Sequence, residues 1–497
     1  MKLTRHLKHQ LRKGFGHRRR RIVGLPAAVA AIGISLSLLL SACGGGSGGS
    51  AGGTVEITLA GPNQWNNDPK SFGPAWEDLI KRFEKREPNI KVNTTVLPIP
   101  EFAQTLSTQL TAGTAPELIF NQTPHEADQV VPLTKYLNQP NPYAPDSKTW
   151  LQMFNQNYFG PSKRNAKNQY EWVPFNLVIV GVFYNKDILD KAGVTPPLKN
   201  YGDLIDACSK IKAAGYIPFA MDNGWLGQGW TYSIMNTMLM AKYADKLNVF
   251  DEDGNPGKSE QVAAKSITKA VLTGQLSATK TPEVGETLKL MKNFFDKCAT
   301  PNWSGITGGA SFIGGEDFVG GKAAMTYGTN FAADNLKDVS WKYGTMPFPT
   351  ITQQESTLSD GSPAQFGAQA GGTSYMIPST TKDEKLDAAI KFLQFATSPE
   401  GGQPWLDKSG GIPATADGDP APGLEGLMSG DWFKTPALAG VDPQPKANAS
   451  KPQFDGYLLG SKNLQQTLDA MQKDWIAGSK EAVKDGGYTE AWAKQNG

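Results

Sequence analysis

Histidine is nearly absent from this chain beyond its first 43 residues. Three of the four histidines lie in that opening segment, and His125 is the fourth. Zinc sites built on several histidines are therefore excluded from residue 44 onwards, and any Ser-His-Asp or Cys-His system would depend on His125. His125 follows Pro124 in a polar turn, where a solvated loop residue is the simpler interpretation. We expect no catalytic residue, no bound metal and no cofactor.

Paired carboxylates are the remaining route to enzymatic chemistry, because glycosidases use two acids and need no histidine. The obvious runs are Asp251-Glu252-Asp253 and Glu316-Asp317. Both lie in polar, glycine-bearing stretches, which favours solvated surface. A non-catalytic protein is the main expectation, and an exported carbohydrate-active enzyme is the alternative.

Two further residues, Cys208 and Cys298, could react with each other. Each falls on the apolar face of a predicted helix at helical spacing. An exported protein can oxidise such a pair, yet the positions equally suit two buried free thiols. The sequence leaves both outcomes open.

The N-terminal segment has the charge pattern of an export signal. Residues 1–21 carry nine Lys or Arg and no acid, residues 22–40 are almost wholly apolar, and Leu40-Ser41-Ala42-Cys43 follows. This ending resembles a lipobox, which implies cleavage of residues 1–43 and a diacylglycerol anchor on Cys43. An uncleaved membrane anchor is the alternative. Arg19-Arg20-Arg21 also resembles the twin-arginine signature, so the export route stays open.

Removing this leader reverses the sign of the net charge. The whole chain carries +2 and residues 1–43 carry +9, so the remainder carries −7. Acids and bases are mixed along that remainder without the positive stripe that a phosphate backbone requires, so nucleic acid is not an expected partner. Residues 44–54 are rich in Gly and Ser and predict a flexible tether with a reach of roughly 18 Å.

The remaining 440 or so residues alternate between strand and helix patterns. Residues 55–59 alternate as a strand, residues 76–83 follow at helical spacing, and similar pairs recur along the chain. Such alternation predicts α/β layers with parallel strands, and the length suits two lobes. On pattern alone, a single (β/α) barrel is the rival architecture.

Several segments, in order, resemble the extracellular solute-binding proteins of ABC importers, specifically the carbohydrate-binding, maltose-binding-protein-like group. The resemblance spans nearly the whole chain after the leader. The matching segments are 83–92 (FEKREPNIKV), 113–119 (GTAPELI), 173–176 (VPFN), 181–187 (GVFYNKD), 191–197 (KAGVTPP), 318–325 (FVGGKAAM), 371–372 (GG) and 392–400 (FLQFATSPE).

The resemblance implies a two-lobe, type II periplasmic-binding-protein-like α/β fold with a multi-strand hinge and a ligand cleft between the lobes. The chain is expected to cross near residues 177–181, 344–346 and 413. Lobe I would comprise residues 55–178 and 345–413, and lobe II residues 179–344 and 414–497. Composition and periodicity do not give these crossings.

The implied ligand is a sugar, held by aromatic rings against its C–H faces and by amides or acids at its hydroxyl rim. The candidate ligand-binding residues are Asn63, Trp65, Asn121, Gln122, Asp222, Trp225, Trp230, Asn330, Phe331, Gly371, Gly372 and Tyr457. Structural alternatives are a core position for Trp230, a turn cap for Asp222 and a turn with positive φ for the glycine pair.

Two departures make maltodextrin specificity doubtful. Asn121 stands where maltose-binding protein uses a Trp, and Val178 replaces an acid of its crossing strand. The expected function is a monomeric, membrane-tethered receptor on the outer face of the bacterial cytoplasmic membrane. It would bind a mono- or oligosaccharide and deliver it to the transmembrane subunits of an ABC permease, with a non-sugar solute as an alternative.

Overall fold

The computed structural model describes residues 53–494 except 63–69, 99–100, 148, 157, 161–162, 166, 252–253, 260, 307–311, 365–368, 430–437, 439–440 and 449–450. Within these ranges the protein is a mixed α/β structure with two sheets. The predicted α/β, two-lobe type II class is confirmed. None of the described helices is long and apolar enough to cross a membrane.

The first sheet has six strands in the order β10-β4-β9-β3-β1-β2. Its strands are β1 (Val55–Pro62), β2 (Ile90–Leu97), β3 (Leu118–Phe120), β4 (Trp172–Val178), β9 (Gln369–Met376) and β10 (Ile412–Pro413). Only β1, β2 and β3 pair in parallel, whereas β9 is antiparallel to β3 and β4, and β10 is antiparallel to β4. In this sheet the alternating pattern therefore predicted parallel pairing correctly for the opening strands only.

The second sheet has four strands in the order β6-β7-β5-β8. They are β5 (Val180–Asn185), β6 (Ile217–Ala220), β7 (Ala323–Thr329) and β8 (Tyr343–Met346). β6 and β7 are parallel, and β5 is antiparallel to both β7 and β8. β4 and β5 belong to different sheets although only Ile179 separates them, so the chain passes between the sheets within one residue.

Helices pack against both sheets. They are α1 (Pro74–Arg86), α2 (Phe102–Ala112), α3 (Thr134–Leu137), α4 (Lys186–Lys191), α5 (Tyr201–Ala213), α6 (Trp225–Met240), α7 (Ala244–Leu247), α8 (Ala264–Leu272), α9 (Pro282–Cys298), α10 (Glu316–Val319), α11 (Asp383–Ala396), α12 (Pro399–Ser409), α13 (Asp455–Leu458), α14 (Leu464–Asp485) and α15 (Ala491–Lys494). α1 begins with Pro74 at its first turn and buries Trp76, Leu79 and Phe83, which is the predicted apolar face.

The buried apolar side chains form two clusters. One surrounds the first sheet with α1, α11 and α12, and the other contains most of α5, α6 and α9 together with Trp475 of α14. Phe348, Ile351 and Ala364 belong to the second cluster. The first cluster also contains Phe183 of β5 and Ala323 of β7, so cluster membership does not assign segments to lobes. The lobe boundaries themselves stay a prediction.

A disulfide joins Cys208 of α5 to Cys298 of α9, with a Cα–Cα distance of 5.3 Å. Both residues are fully buried. The sequence left two free thiols open, and the packing of α5 against α9 decides for the disulfide, because it holds the two α-carbons at a separation that a disulfide spans.

Candidate functional site

Phe331 lines a crevice of about 200 Å³ at the point where three distant segments meet. It is the second residue after β7, which ends at Thr329. The crevice is bounded also by Phe72 and Ala75 at the start of α1 and by Lys408 and Ser409 at the end of α12. Phe72 is buried beneath it, whereas Phe331 is partly exposed. The crevice therefore combines a partly exposed ring with apolar side chains, which suits the C–H face of a small polar ring.

Charged groups surround this crevice, and each is paired. Lys408 lies 3.0 Å from Asp78 of α1, and Lys337 forms an ion pair with Asp334. The hydrogen bond from Lys408 holds the pKa of the Asp78 carboxyl below its ordinary value. Asp78 also pairs with Arg82 at 2.9 Å, so Lys408 shares its carboxylate with a second cation, whereas Lys337 contacts Asp334.

Asn330, the neighbour of Phe331, lies where the chain passes between the sheets. Its side-chain oxygen accepts from the backbone N–H of Ile179 at 3.0 Å, and its side-chain nitrogen donates to the Gly410 carbonyl at 3.1 Å. The residue is fully buried. In this structure its amide supports the crossing segments, and a contact with ligand stays a prediction.

Gly410 completes this junction. Its φ is +68°, the left-handed region that favours glycine, and it ends α12. A Cβ here would lie 3.0 Å from the carbonyl oxygen of Asn330. Both the left-handed backbone conformation and the close contact with Asn330 therefore favour glycine at this position.

Asn121 and Gln122 form the turn after β3, as the sequence predicted. The backbone N–H of Asn121 donates to Ser374 of β9 at 3.0 Å, and the Asn121 side chain is partly exposed. Gln122 is exposed. Both side chains are thus accessible at the same edge of the first sheet.

Asp222 is fully buried and caps backbone groups. One carboxylate oxygen accepts from Gly224 N at 2.8 Å and the other accepts from Gly314 N at 2.8 Å. This arrangement is the turn-capping alternative weighed for the sequence. With both oxygens engaged, the carboxylate fixes the start of α6 against the segment before α10.

The glycine pair lies inside β9. A Cβ on Gly372 would overlap the side chain of Val178 on β4, and the Gly372 φ is outside the left-handed region. Close strand packing therefore accounts for glycine at position 372. Gly371 is placed in the same strand.

Trp230 of α6 and Tyr457 of α13 are both partly buried and pack against the second core cluster. Each keeps some exposed surface, so neither is a purely internal residue. Burial raises the pKa of the Tyr457 hydroxyl.

Three predicted ligand residues are described incompletely or not at all. Asn63 and Trp65 lie outside the described residues, and Trp225 is placed as the first residue of α6 through its backbone alone. Among the described residues, the lining of the crevice includes no predicted ligand residue besides Phe331. Phe72, Lys408 and Ser409 also line the crevice but were not among the predicted ligand residues, because only folding brings together positions more than 330 residues apart. The pair Gly73-Pro74, which is typical of a helix start, was the one local signal near Phe72.

Within the described ranges, no three His, Cys, Asp or Glu side chains are grouped closely enough to hold a metal ion.

The sequence of residues 66–403 matches the family model described as bacterial extracellular solute-binding protein. The chain belongs to this family. The resemblance noted in its sequence is confirmed, and family membership implies export and an ABC importer context.

Curated relatives include a protein named for sugars and one named for glycerol 3-phosphate. The chain is 23% identical to the multiple sugar-binding protein of Streptococcus mutans over 379 residues, 75% of this chain and 79% of that protein. It is 25% identical to the sn-glycerol-3-phosphate-binding periplasmic protein UgpB of Escherichia coli K12 over 373 residues, 71% of this chain and 73% of that protein.

Solved structures with the same fold include the solute-binding protein RafE in complex with raffinose and a chitin oligosaccharide binding protein. RafE has a TM-score of 0.57 at 18% identity, covering 86% of this chain and 100% of that structure. The chitin oligosaccharide binding protein has a TM-score of 0.55 at 19% identity, covering 86% of this chain and 99% of that structure. At these identities the likeness establishes the fold.

Proposed function

We propose that this protein is the substrate-binding lipoprotein of an ABC importer and that its ligand is a mono- or oligosaccharide. The observation that carries the sugar assignment is the crevice beside Phe331, where a partly exposed ring lies beside apolar side chains and paired charges supply a polar rim. Its volume of about 200 Å³ is below the ~300–1,000 Å³ of sites for drug-sized ligands, so it suits one sugar unit.

A non-sugar solute is the second candidate, because relatives of similar identity bind glycerol 3-phosphate. A phosphate ligand would require cationic side chains that are not already paired with a carboxylate. The two lysines at the crevice each have a carboxylate partner, Asp334 for Lys337 and Asp78 for Lys408. Although Asp78 is shared with Arg82, both ammonium groups already contact a carboxylate, which favours a hydroxyl-bearing ligand over an anion.

Binding is coupled to closure of the two lobes. A ligand shifts a hinge equilibrium only through contacts that are better in the closed state than in the open one. Moving the populations from 1:99 to 99:1 requires about 5.5 kcal/mol of differential binding, which several hydrogen bonds and a ring contact can supply. The closed receptor then delivers an unmodified ligand to the permease.

A thermal-shift screen followed by calorimetry tests the ligand class. The panel contains raffinose, maltose, chitin oligosaccharides and sn-glycerol 3-phosphate. We expect a saccharide to raise the melting temperature and to be recovered intact afterwards. A shift with glycerol 3-phosphate alone would establish the second candidate, and cleavage of the saccharide would point to the enzyme alternative with paired carboxylates.

Phe331→Ala then tests the crevice itself. Removal of the ring should weaken the affinity for the identified saccharide by roughly tenfold or more, because a ring contact contributes about 0.5–1.5 kcal/mol beyond its buried area. Tyr216→Ala is the matched control, since Tyr216 is also a partly exposed ring but lies at the start of β6, near Lys191. Equal affinities for both variants would remove Phe331 from the site.

The membrane anchor belongs to the same proposal. Cys43 would carry the diacylglycerol and residues 44–54 would hold the folded part near the outer face of the cytoplasmic membrane. Cys43→Ser should release the protein into the soluble fraction of cells, whereas Cys208→Ser should not. Retention of the Cys43 variant in membranes would support the uncleaved anchor instead.

A further inference from the structure

His125 lies in the turn that presents Asn121 and Gln122, and both of its ring nitrogens contact oxygen atoms. Nδ1 is 2.8 Å from the carbonyl oxygen of Thr123, and Nε2 is 3.4 Å from a carboxylate oxygen of Glu171. The imidazole and the carboxylate are mostly buried, with 17% and 15% of their side-chain surfaces exposed. The sequence predicted a solvated loop residue, whereas the structure gives the ring two fixed partners.

The protonation state follows from the partners. A carbonyl oxygen and a carboxylate oxygen only accept hydrogen bonds, so each ring nitrogen has to donate. A neutral imidazole has one N–H, and only the imidazolium has two. The second carboxylate oxygen of Glu171 accepts from Asn165 at 2.6 Å, which fixes the acid in place. The geometry thus favours a charged His125.

This contact joins two segments that are far apart in the sequence. Thr123 belongs to the turn after β3, and its N–H and hydroxyl both bond to the carbonyl of Phe120. Glu171 immediately precedes Trp172, where β4 begins. His125 therefore ties the turn to the base of the strand that leads into the second sheet.

We propose that His125 is a positioning residue whose imidazolium holds the turn of residues 121–126 against Glu171, so that the order of this turn decreases as the pH rises. The effect on ligand affinity rests on the proposed function, because Asn121 and Gln122 are predicted ligand contacts. The effect on the order of the turn does not depend on the proposed function.

The surrounding charges determine the direction. Glu171 and, more weakly, the exposed Glu126 favour the imidazolium, while Lys167 acts on Glu171 from outside. The hydrogen bond with Glu171 raises the pKa of His125 despite its burial, and the same bond lowers the pKa of Glu171. Since the pKa is raised in the folded state, the stabilisation is complete below the ordinary value of about 6.5 and is lost as the pH rises through the folded value.

NMR titration of the histidine ring protons is the first test, and it needs no ligand. The resonance that disappears in His125→Gln identifies the residue. We expect its midpoint above about 6.5 in the wild type and a lower midpoint in Glu171→Gln, which keeps an acceptor but removes the charge. Glu126→Gln, which removes an acid that acts on the ring only weakly through its charge, should lower the midpoint less. A wild-type midpoint at or below 6.5 would overturn the proposal.

Hydrogen exchange of the amides in residues 121–126 is the second test, with wild type and His125→Gln compared at the same pH. At pH 6 exchange should be roughly threefold to tenfold slower in the wild type, since one pKa unit of coupling corresponds to about tenfold. At pH 9 the ratio should approach one, and the amides of α14 should be equal throughout. Equal exchange of the turn at pH 6 would also overturn the proposal.

These outcomes are independent of the ligand assignment. If no saccharide binds but the titration and exchange behave as expected, the proposed function fails and His125 keeps its positioning role. If a saccharide binds and the turn in His125→Gln is unchanged, the proposed function stands and the positioning role of His125 fails. The titration of Glu171→Gln remains decisive even if His125→Gln does not fold.

Discussion

The side chain and backbone of Asn330 pair with both backbone groups of Ile179. The Asn330 side-chain oxygen accepts from Ile179 N at 3.0 Å, and Asn330 N donates to the Ile179 carbonyl at 3.0 Å. Ile179 is the residue between β4 and β5, where the chain changes sheets. At this crossing Ile179 lies outside both sheets, and its backbone N–H and carbonyl would be unpaired without the two hydrogen bonds from Asn330.

Asn330→Ala should destabilise the protein by about 2–4 kcal/mol. The variant leaves the Ile179 N–H and the Gly410 carbonyl without their side-chain partners, and an unpaired buried group costs about 1–3 kcal/mol. Calorimetric unfolding measures the loss. Asn335→Ala is the control, because Asn335 is exposed and donates only to Ala332 in its own helical turn. Similar melting temperatures for both variants would contradict a structural role for Asn330.

Trp225→Ala should weaken saccharide affinity and leave thermal unfolding of the ligand-free protein nearly unchanged. Trp225 is the first residue of α6 and follows the turn capped by Asp222. The sequence sets Trp225 directly after Asp222-Asn223-Gly224, a polar turn, and an indole ring can stack on the C–H face of a sugar. Calorimetry on the saccharide found in the screen gives the affinity. An unaltered affinity would remove Trp225 from the ligand-binding set.

Loss of the Cys208–Cys298 disulfide should lower the free energy of unfolding by roughly 2–4 kcal/mol, because the bond closes a loop of 90 residues in the unfolded chain. The double variant Cys208→Ala/Cys298→Ala, followed in denaturant, measures this. A reducing agent should lower the stability of the wild type and leave the double variant unaffected. If both cysteines are alkylated when the wild type is unfolded without a reducing agent, the disulfide is absent.

Asp442 should make the folded state less stable as the pH rises. Burial raises the pKa of this carboxyl to about 6, against the bonds that it accepts from Trp475 at 2.6 Å and Gln444 at 2.7 Å. The folded state therefore holds a proton between about pH 4 and 6 that the unfolded state has released, and this contribution declines across that window.

Asp442→Asn should remove this component of the pH dependence. The difference in unfolding free energy between wild type and variant should change by roughly 1–3 kcal/mol between pH 4 and pH 7. Asp469→Asn is the control, since Asp469 is exposed on α14. A constant difference across this range would show that Asp442 ionises normally.

Local patterns predicted much of the secondary structure. The apolar spacing of α1 gives its buried face, and the run after Asn463 gives α14, whose N-terminus carries a capping box formed by Asn463 and Gln466. The apolar faces that carry Cys208 and Cys298 were also visible, because helical periodicity is a property of neighbouring residues. The antiparallel placement of β9 and β10 was not visible, since pairing partners more than 190 residues apart leave no local signal.

The sequence by itself determined the chemistry that is available: one histidine after residue 43, mixed charges, aromatic and amide residues after strand ends, and the ordered segments that identify the family. The tertiary structure decided which residues meet. It placed Phe331 beside Phe72 and Lys408, gave Asp222 to backbone capping and Asn330 to the crossing, and joined His125 to Glu171. The reason is physical, because residue types set what an atom can bond to, whereas packing of distant segments sets what lies within bonding distance.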